Sequence, residues 1–430
     1  MFENLLAQDE VRALLRLDIE GGSLPPTLLF AGAPGSGKMT TALELARVLS
    51  CAAVEGGERA PWNCPCQSCA QHRLLSHPDL LLLGGRTFPE EIPAALELFG
   101  RAPGRASYFF FVRAARKLLR RFDAALFQGE EPRLAKAAPL VREAEELFDA
   151  LDPEVAGSTE KAEAGAETAA KIAGVCAKLE AMVADAAPVF QVRNAELWAR
   201  LAPFGMRKTV VIENADRMQE SARNALLKIL EEPPETVRFV LLSSRRSAMM
   251  ATILSRSRSY AFARRGPEET ALVLERVFRS AEPAADVDAF LAARRVFPPG
   301  EAREAAASFL SAALAERSDA DRLPRPLSAL AGEAGAEGRD GASALAQVLA
   351  RTKDFGAKDE RYATSFGYFL EALAAKLGGL LREDAIGTTG LALVSSWADA
   401  LRHARADYES YNRSPSLLAE SLLYEIGGRR

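Results

Sequence analysis

The chain has 430 residues, and because a domain typically holds about 100 to 200 residues, its length predicts two to four domains. A hydrophobic fraction of 48% with 26% charged residues excludes a wholly disordered protein. The formal net charge of -4 excludes a general attraction to nucleic acid, so contact with DNA would require a local basic face or a partner subunit.

The first predicted elements are a strand, a glycine-rich loop and a helix. The apolar run PPTLLFAG at 25–32 predicts a buried strand, and apolar residues recur at helical spacing after the loop. The loop GAPGSGK satisfies the pattern GxxxxGK with the candidate phosphate-binding residues Gly32, Gly35, Gly37 and Lys38. Its glycines let backbone N–H groups converge on phosphate, which favours ATP with Mg²⁺ over an accidental glycine turn.

The residue after the lysine departs from this pattern. A serine or threonine hydroxyl normally binds magnesium there, whereas Met39 offers only a soft thioether. Each residue turns a helix by about 100°, so Thr40 and Thr41 point away from the position of the missing hydroxyl and should not replace it. Thr40 is a further candidate nucleotide contact. We therefore expect nucleotide binding without efficient hydrolysis.

Four of the five cysteines follow this helix closely. They are Cys51, Cys64, Cys66 and Cys69. In a reducing compartment such a cluster predicts a metal site before a disulfide. The acidic N-terminus, which has no long apolar run, predicts a cytoplasmic protein without membrane contact. The fifth, Cys176, shares a helical face with Ile172 and Leu179 and is predicted to lie in the core.

The segment from about 84 to 188 shows helical periodicity throughout. Its three apolar faces are Tyr108, Val112, Ala115, Leu119, Phe122 and Leu126; Leu134, Ala138, Val141, Ala144, Leu147 and Leu151; and Ile172, Val175, Leu179 and Met182. We expect an insertion of about three helices, with a mobile linker at 153–167. A basic face comprises Arg113, Arg116, Lys117, Arg120 and Arg121. That face predicts either a solvated helix surface or a contact with DNA or a partner.

Two further buried strands are predicted at 209–216 and 238–244, separated by a helix. Their alternation with helices predicts an α/β fold with a parallel sheet. In an ATPase, the first of these strands would end in an aspartate for magnesium and a glutamate for the attacking water. Here the two positions are Glu213 and Asn214, and an amide cannot accept a proton from water. Asp216 is a nearby alternative acid.

From about residue 265 onward the pattern is helical. We divide the chain into an α/β domain at 1–263, which includes the cysteine module 51–69, an all-α lid at 264–330 and an all-α C-terminal domain at 331–430. A flexible joint is predicted at 332–343. The last helix carries an apolar stripe, which consists of Leu417, Leu418, Leu422 and Ile426 around Ser421.

These residues together resemble bacterial clamp-loader subunits of DNA polymerase III in the AAA+ superfamily, and among them the delta-prime type. The resemblance covers 1–83, 190–262 and, faintly, 408–426. Its most specific block is NADRMQESARNALLKILEEPPETVRFVLLSS followed by ATILSRSR. It implies a P-loop domain with a zinc module and helical insertion, then a helical lid and a collar domain that joins subunits into a ring.

The resemblance also implies roles for particular residues. Arg256 matches the arginine that reaches the ATP of a neighbouring subunit, although a structural surface arginine is the alternative, and Ser243 and Ser244 fall at the sensor positions. Cys51, Cys64, Cys66 and Cys69 match the zinc ligands, with one residue fewer between Cys64 and Cys66. A decayed, empty module is the alternative, as is replacement of a missing ligand by His72.

The predicted function is that of a non-hydrolysing ring subunit in DNA replication. Its implied partners are the gamma/tau and delta subunits, the sliding clamp and, through the assembled ring, primer-template DNA. Two alternatives stay open: an active motor subunit of the gamma/tau type that uses Thr40 and Asp216, or a nucleotide-sensing zinc protein outside the loader. The function of the insertion is not predicted.

Overall fold

The computed structural model describes residues 1–53, 60–85, 90–151, 159–180, 182–184, 186–294, 298–336, 365–411 and 413–428. The chain forms two compact units, Met1–Leu291 and Ala292–Arg430. The predicted separation of the region after residue 263 into a lid and a collar stays a prediction.

A five-stranded parallel sheet forms the centre of the first unit. Its strands are β1 (Thr27–Gly32), β2 (Leu80–Gly84), β3 (Lys208–Glu213), β4 (Val237–Ser243) and β5 (Arg258–Phe262). The spatial order is β2-β3-β4-β1-β5, so β1 lies between β4 and β5. Ala31 pairs with Ser243, and Ile212 with Leu241, so the carboxyl ends of β1, β3 and β4 share one edge. The α/β fold class is confirmed.

Helices cover both faces of this sheet. Outside the insertion they are α1 (Asp9–Glu20), α2 (Lys38–Ser50), α3 (Gln67–Arg73), α9 (Val189–Arg200), α10 (Glu220–Glu231), α11 (Ala251–Leu254), α12 (Pro267–Phe278) and α13 (Val287–Ala292). Because side chains alternate along a strand, Leu28 and Phe30 of β1 join the core beneath α1 and α2. Leu29 and Ala31 point to the opposite face and join the core of the insertion.

The insertion is helical, as predicted. It contains α4 (Glu91–Arg101), α5 (Arg105–Leu119), α6 (Glu131–Leu134), α7 (Ala138–Asp149) and α8 (Thr159–Glu180). Helix α8 packs on α4, α5 and α7. The predicted linker at 153–167 is wrong from Thr159 onward, where α8 begins, and its earlier part lies outside the described residues.

The second unit is all-helical in its described part. It contains α14 (Pro299–Ala315), α15 (Arg325–Ala336), α16 (Ser365–Leu380), α17 (Gly387–Tyr411) and α18 (Pro415–Ile426). Helix α14 packs on α15, α16 and α18 around a core that includes Phe309, Phe369 and Trp397. Of the predicted stripe on α18, Leu418, Leu422 and Ile426 are buried, whereas Leu417 is 66% exposed. The predicted flexible joint at 332–343 is wrong for 332–336, which belong to α15, and from residue 337 it lies outside the described residues. Among those described, every helix is too short or too polar to cross a membrane.

Candidate functional site

The phosphate-binding loop joins the end of β1 to the start of α2. Gly35 and Gly37 have φ angles of 68° and 97°, a region that side-chain-bearing residues rarely adopt. Gly37 is the N-cap of α2, so the unpaired N–H groups of the first helical turn lie at the loop. Strand, loop and helix therefore have the arrangement that phosphate binding uses.

Lys38 folds back onto this loop. Its ammonium donates hydrogen bonds to the carbonyl oxygens of Gly32 and Ala33, both at 2.6 Å. Burial lowers the pKa of Lys38 to about 8, and the carboxylates of Glu213, Asp216 and Asp288 oppose that shift. The three carboxylates act on Lys38 electrostatically, so they surround the lysine that would receive phosphate.

Arg265, which lies just before α12, contacts the phosphate-binding loop. It donates hydrogen bonds to the carbonyl oxygens of Gly35 and of Leu6, the latter at 3.0 Å. A cavity of about 170 Å³ lies between the loop and the segment before and at the start of α13. Its lining includes Asp286 and Asp288. Ligand pockets usually measure about 300 to 1,000 Å³, so a whole nucleotide would require this cavity to widen.

Neither Met39 nor Thr41 offers a free hydroxyl to a metal at the loop. Met39 packs against the core beneath α2, and Thr40 is exposed. The hydroxyl of Thr41 is buried and donates a hydrogen bond to the carbonyl oxygen of Gly37 at 2.9 Å. That hydroxyl is therefore committed to the helix backbone.

Glu213 ends β3 beside the loop, but its carboxylate is paired with an arginine of the insertion. Nη2 of Arg121 lies 2.6 Å from the Glu213 carboxylate, and the two side chains are only 3% and 13% exposed. The sequence placed Arg121 on a solvated or partner-binding face. A buried guanidinium instead neutralises the acid that was predicted to hold magnesium.

Two further polar side chains at this edge, those of Asp216 and Ser243, also have partners. Asn214 adopts a left-handed conformation directly after β3. Asp216 is buried and accepts a hydrogen bond from Nε of Arg245 at 3.2 Å. Ser243, at a predicted sensor position, accepts a hydrogen bond from the backbone N–H of Arg245 at 3.0 Å, and Ser244 is half-buried.

The motif SRSR carries two arginines with different surroundings. Arg258 lies 2.7 Å from the buried carboxylate of Asp18, which gives it a structural role. Arg256 follows α11 on the surface, where Nη2 lies 3.0 Å from a carboxylate oxygen of Glu231 and Nη1 donates to the carbonyl oxygen of Thr252. Glu231 is itself 55% exposed, so this pair can exchange for another anion at little cost.

The four clustered cysteines meet in space. Their sulfur atoms all lie within 4.8 Å of one another, with Cys51 at 3.7 Å from Cys64 and 4.0 Å from Cys66. Sulfur atoms bound tetrahedrally to zinc at about 2.3 Å stand about 3.8 Å apart. The spacing therefore fits zinc despite the shortened gap between Cys64 and Cys66.

The surroundings of these thiols also suit a metal. Burial raises the pKa of Cys66, but hydrogen bonds from the backbone N–H groups of Cys69 and Ala52 outweigh it and lower the pKa to about 6. Burial raises the pKa of Cys69, and the charge of Arg47 opposes that shift. His72 is not one of the four clustered ligands, and its ring stacks on that of His77 at 4.2 Å between centroids. Cys176 is buried in the core, as predicted.

The basic face of α5 and the turn after it is not a solvated surface, so that prediction is wrong, whereas contact with DNA or a partner stays a prediction. Arg113 donates hydrogen bonds to the carbonyl oxygens of His72 and Arg73, and Arg116 to that of Leu74. Arg120 continues the series with the carbonyl oxygens of Leu75 and His77. These cations cap the carboxyl end of α3, where the helix dipole favours positive charge.

The central part of the chain is similar to known proteins. Residues 181–265 match the family described as DNA polymerase III, delta subunit. DNA polymerase III subunit delta' of Haemophilus influenzae is 42% identical over 69 residues, which is 16% of this chain and 21% of that protein. This part of the chain is therefore similar to DNA polymerase III subunits of the delta and delta' type. The match spans about a fifth of the relative's length.

A solved structure, the DNA polymerase III gamma subunit-related protein of Thermotoga maritima, also matches this chain. The match has a TM-score of 0.28 at 18% identity and covers 56% of this chain and 79% of the other.

The family match includes Glu213, Asn214 and Arg256 but not Lys38 or the cysteines. Three residues at the site escaped prediction, namely Arg121, Arg265 and Arg47. The position of an arginine in the sequence does not show which acid or carbonyl group its side chain will bind. Arg121 lies inside the insertion, 92 positions before Glu213 along the chain.

Proposed function

We propose that this chain is a non-hydrolysing, delta-prime-like subunit of a DNA polymerase III clamp loader. It works in a ring with gamma/tau and delta subunits and helps to place the sliding clamp on primed DNA. The family match over 181–265 and the kinship with subunit delta' support this assignment. The all-helical architecture of the second unit supports a collar domain.

The ion pair between Arg121 and Glu213 is the observation that carries the non-hydrolysing assignment. ATP cleavage of this kind needs a magnesium ion held at the phosphates and a group that orients the attacking water. Here Met39 replaces the hydroxyl, Asn214 replaces the base, and the buried guanidinium of Arg121 neutralises Glu213. Gly32, Gly35, Gly37, Lys38 and Thr40 remain the candidate nucleotide contacts.

The isolated chain tests this assignment directly. We expect the purified protein to show no ATP turnover above that of the Lys38→Ala variant. Binding of a fluorescent ATP analogue, measured in parallel, separates loss of binding from loss of chemistry. Sustained turnover that disappears in Lys38→Ala would show that the chain is a motor subunit instead.

We propose that Arg256 acts in trans on the ATP of a neighbouring subunit. Its guanidinium is at the surface, and a guanidinium can pair with γ-phosphate oxygens and stabilise charge in the transition state. We expect Arg256→Ala to slow hydrolysis at that one neighbouring site by about 10³-fold or more, so the DNA-stimulated ATPase of the assembled loader should fall by the share that this site contributes. The nearby exposed Arg246→Ala is the matched control and should leave it unchanged. Equal activity of the two variants would exclude the trans role.

We also propose that Cys51, Cys64, Cys66 and Cys69 hold a structural zinc ion. Four thiolate ligands leave no open coordination position, so the metal would stabilise the fold without taking part in chemistry. The sulfur distances described above support this assignment.

A further inference from the structure

Arg47 connects the cysteine cluster to the helix that begins at the phosphate-binding loop. It lies in the last turn of α2, and its side chain is 1% exposed. Nη1 donates hydrogen bonds to Sγ of Cys69 at 3.3 Å and to the carbonyl oxygen of Pro61 at 2.9 Å. A buried arginine that contacts a candidate ligand sulfur is placed to act on the metal site.

Glu44 fixes the orientation of this guanidinium. It accepts hydrogen bonds from Nε and Nη2 of Arg47 at 3.0 and 2.5 Å, which occupy one edge of the fork. The other edge is thereby directed at Cys69. Because Glu44 is one helical turn before Arg47, both residues belong to α2, and the geometry depends on that helix.

Positive charge collects around the cluster beyond Arg47. Arg73 donates hydrogen bonds to the carbonyl oxygens of Cys64 and Trp62, both at 2.8 Å. The guanidinium carbons of Arg47 and Arg113 each lie 5.6 Å from the ring centre of Trp62. A zinc ion with four thiolates has a net charge of -2, and burying such a charge is costly unless cations or hydrogen-bond donors face it.

We propose that Arg47 is a positioning residue for the zinc site: its hydrogen bond stabilises the Cys69 thiolate and couples metal binding to α2. The inference rests on the proposed zinc ion. Cys51 immediately follows α2, so the metal would hold the end of this helix both through Cys51 and through Arg47. The opposite end of α2 carries Lys38. Metal binding therefore stabilises the helix that presents the phosphate-binding lysine.

The test measures zinc affinity by competition with a chromophoric chelator. Loss of a hydrogen-bonding neighbour of a metal ligand typically lowers affinity about 10- to 100-fold, and we expect this for Arg47→Met. Arg47→Lys keeps the charge, but one ammonium cannot donate hydrogen bonds to Glu44, to the carbonyl oxygens of Ala60 and Pro61 and to Cys69 together. We therefore expect zinc affinity to fall less than in Arg47→Met. The control is Arg258→Met, whose partners are Asp18 and Tyr260 and which should lower stability without changing zinc affinity.

A second measurement separates this role from simple packing. In the Co²⁺-substituted protein, loss of the hydrogen bond should shift the thiolate-to-metal charge-transfer band to longer wavelength, and Arg258→Met should leave the band in place. If Arg47→Met does not fold, Arg47→Lys provides both readouts.

The outcomes distinguish the two proposals. Unchanged affinity and spectrum in both Arg47 variants, with zinc bound, would overturn the role of Arg47 and leave the zinc assignment standing. Failure of the wild-type protein to bind zinc would overturn both.

Discussion

The ion pair between Arg121 and Glu213 predicts a large coupling energy. At an effective dielectric constant of about 20, charges about 4 Å apart attract by about 4 kcal/mol. Both side chains are mostly buried, and removing one partner of a buried pair costs about 3–5 kcal/mol because the other charge remains. We therefore expect Arg121→Met to lower the free energy of unfolding by that amount. The double variant Arg121→Met/Glu213→Gln should cost much less than the two single variants together.

Urea denaturation of the four proteins measures this coupling. In a Trp397→Phe background, the fluorescence of Trp62 and Trp198 follows only the unit that contains the pair. The exposed pair of Arg133 and Glu130 supplies a matched control, for which the same cycle should give less than about 1 kcal/mol. Additive costs at Arg121 and Glu213, or a coupling no larger than in the control, would refute the claim that the guanidinium neutralises the acid.

Two further predictions concern the loop and the cysteines. Because burial lowers the pKa of Lys38 to about 8, nucleotide affinity should be full below pH 8 and fall by up to tenfold per pH unit above it, since phosphate binding requires the protonated amine. Titration calorimetry between pH 7 and 9.5 checks this, with Lys38→Arg as a permanently charged control; a flat wild-type profile would contradict it. Metal analysis should find one zinc per chain, lost in Cys69→Ser but kept in Cys176→Ser, and chelation should lower the melting temperature. Equal zinc content in the two serine variants would show that the four clustered cysteines do not bind the zinc.

Periodicity predicted much of the fold correctly. Tyr108, Val112, Ala115, Leu119, Phe122 and Leu126 are all buried, as their spacing requires. The strands β1, β3 and β4 and the helix between the last two were also predicted. By contrast, β2 is the run LLLLG, and an apolar run this short does not distinguish a strand from a helix. Met182 is 40% exposed because α8 ends at Glu180.

The candidate site was predicted only where chemistry follows from residue type. The missing hydroxyl at Met39 and the missing base at Asn214 follow from residue identity, and the metal site follows from the spacing of the four cysteines. The arginines of α5 do not, because their partners are carbonyl groups at the end of α3 and one acid at the end of β3. Their burial depends on how the insertion packs, which no local pattern specifies.

The position of the insertion has a consequence for the order in which the protein folds. Strands β2 and β3 are neighbours in the sheet, yet the whole stretch from Gly84 to Lys208 separates them along the chain. Closing so long a loop carries an entropic cost that is recovered only when contacts form across it. Helices α4, α5, α7 and α8 can form locally and shorten the distance that remains to be closed. The pairing of β2 with β3 should therefore follow the formation of these helices.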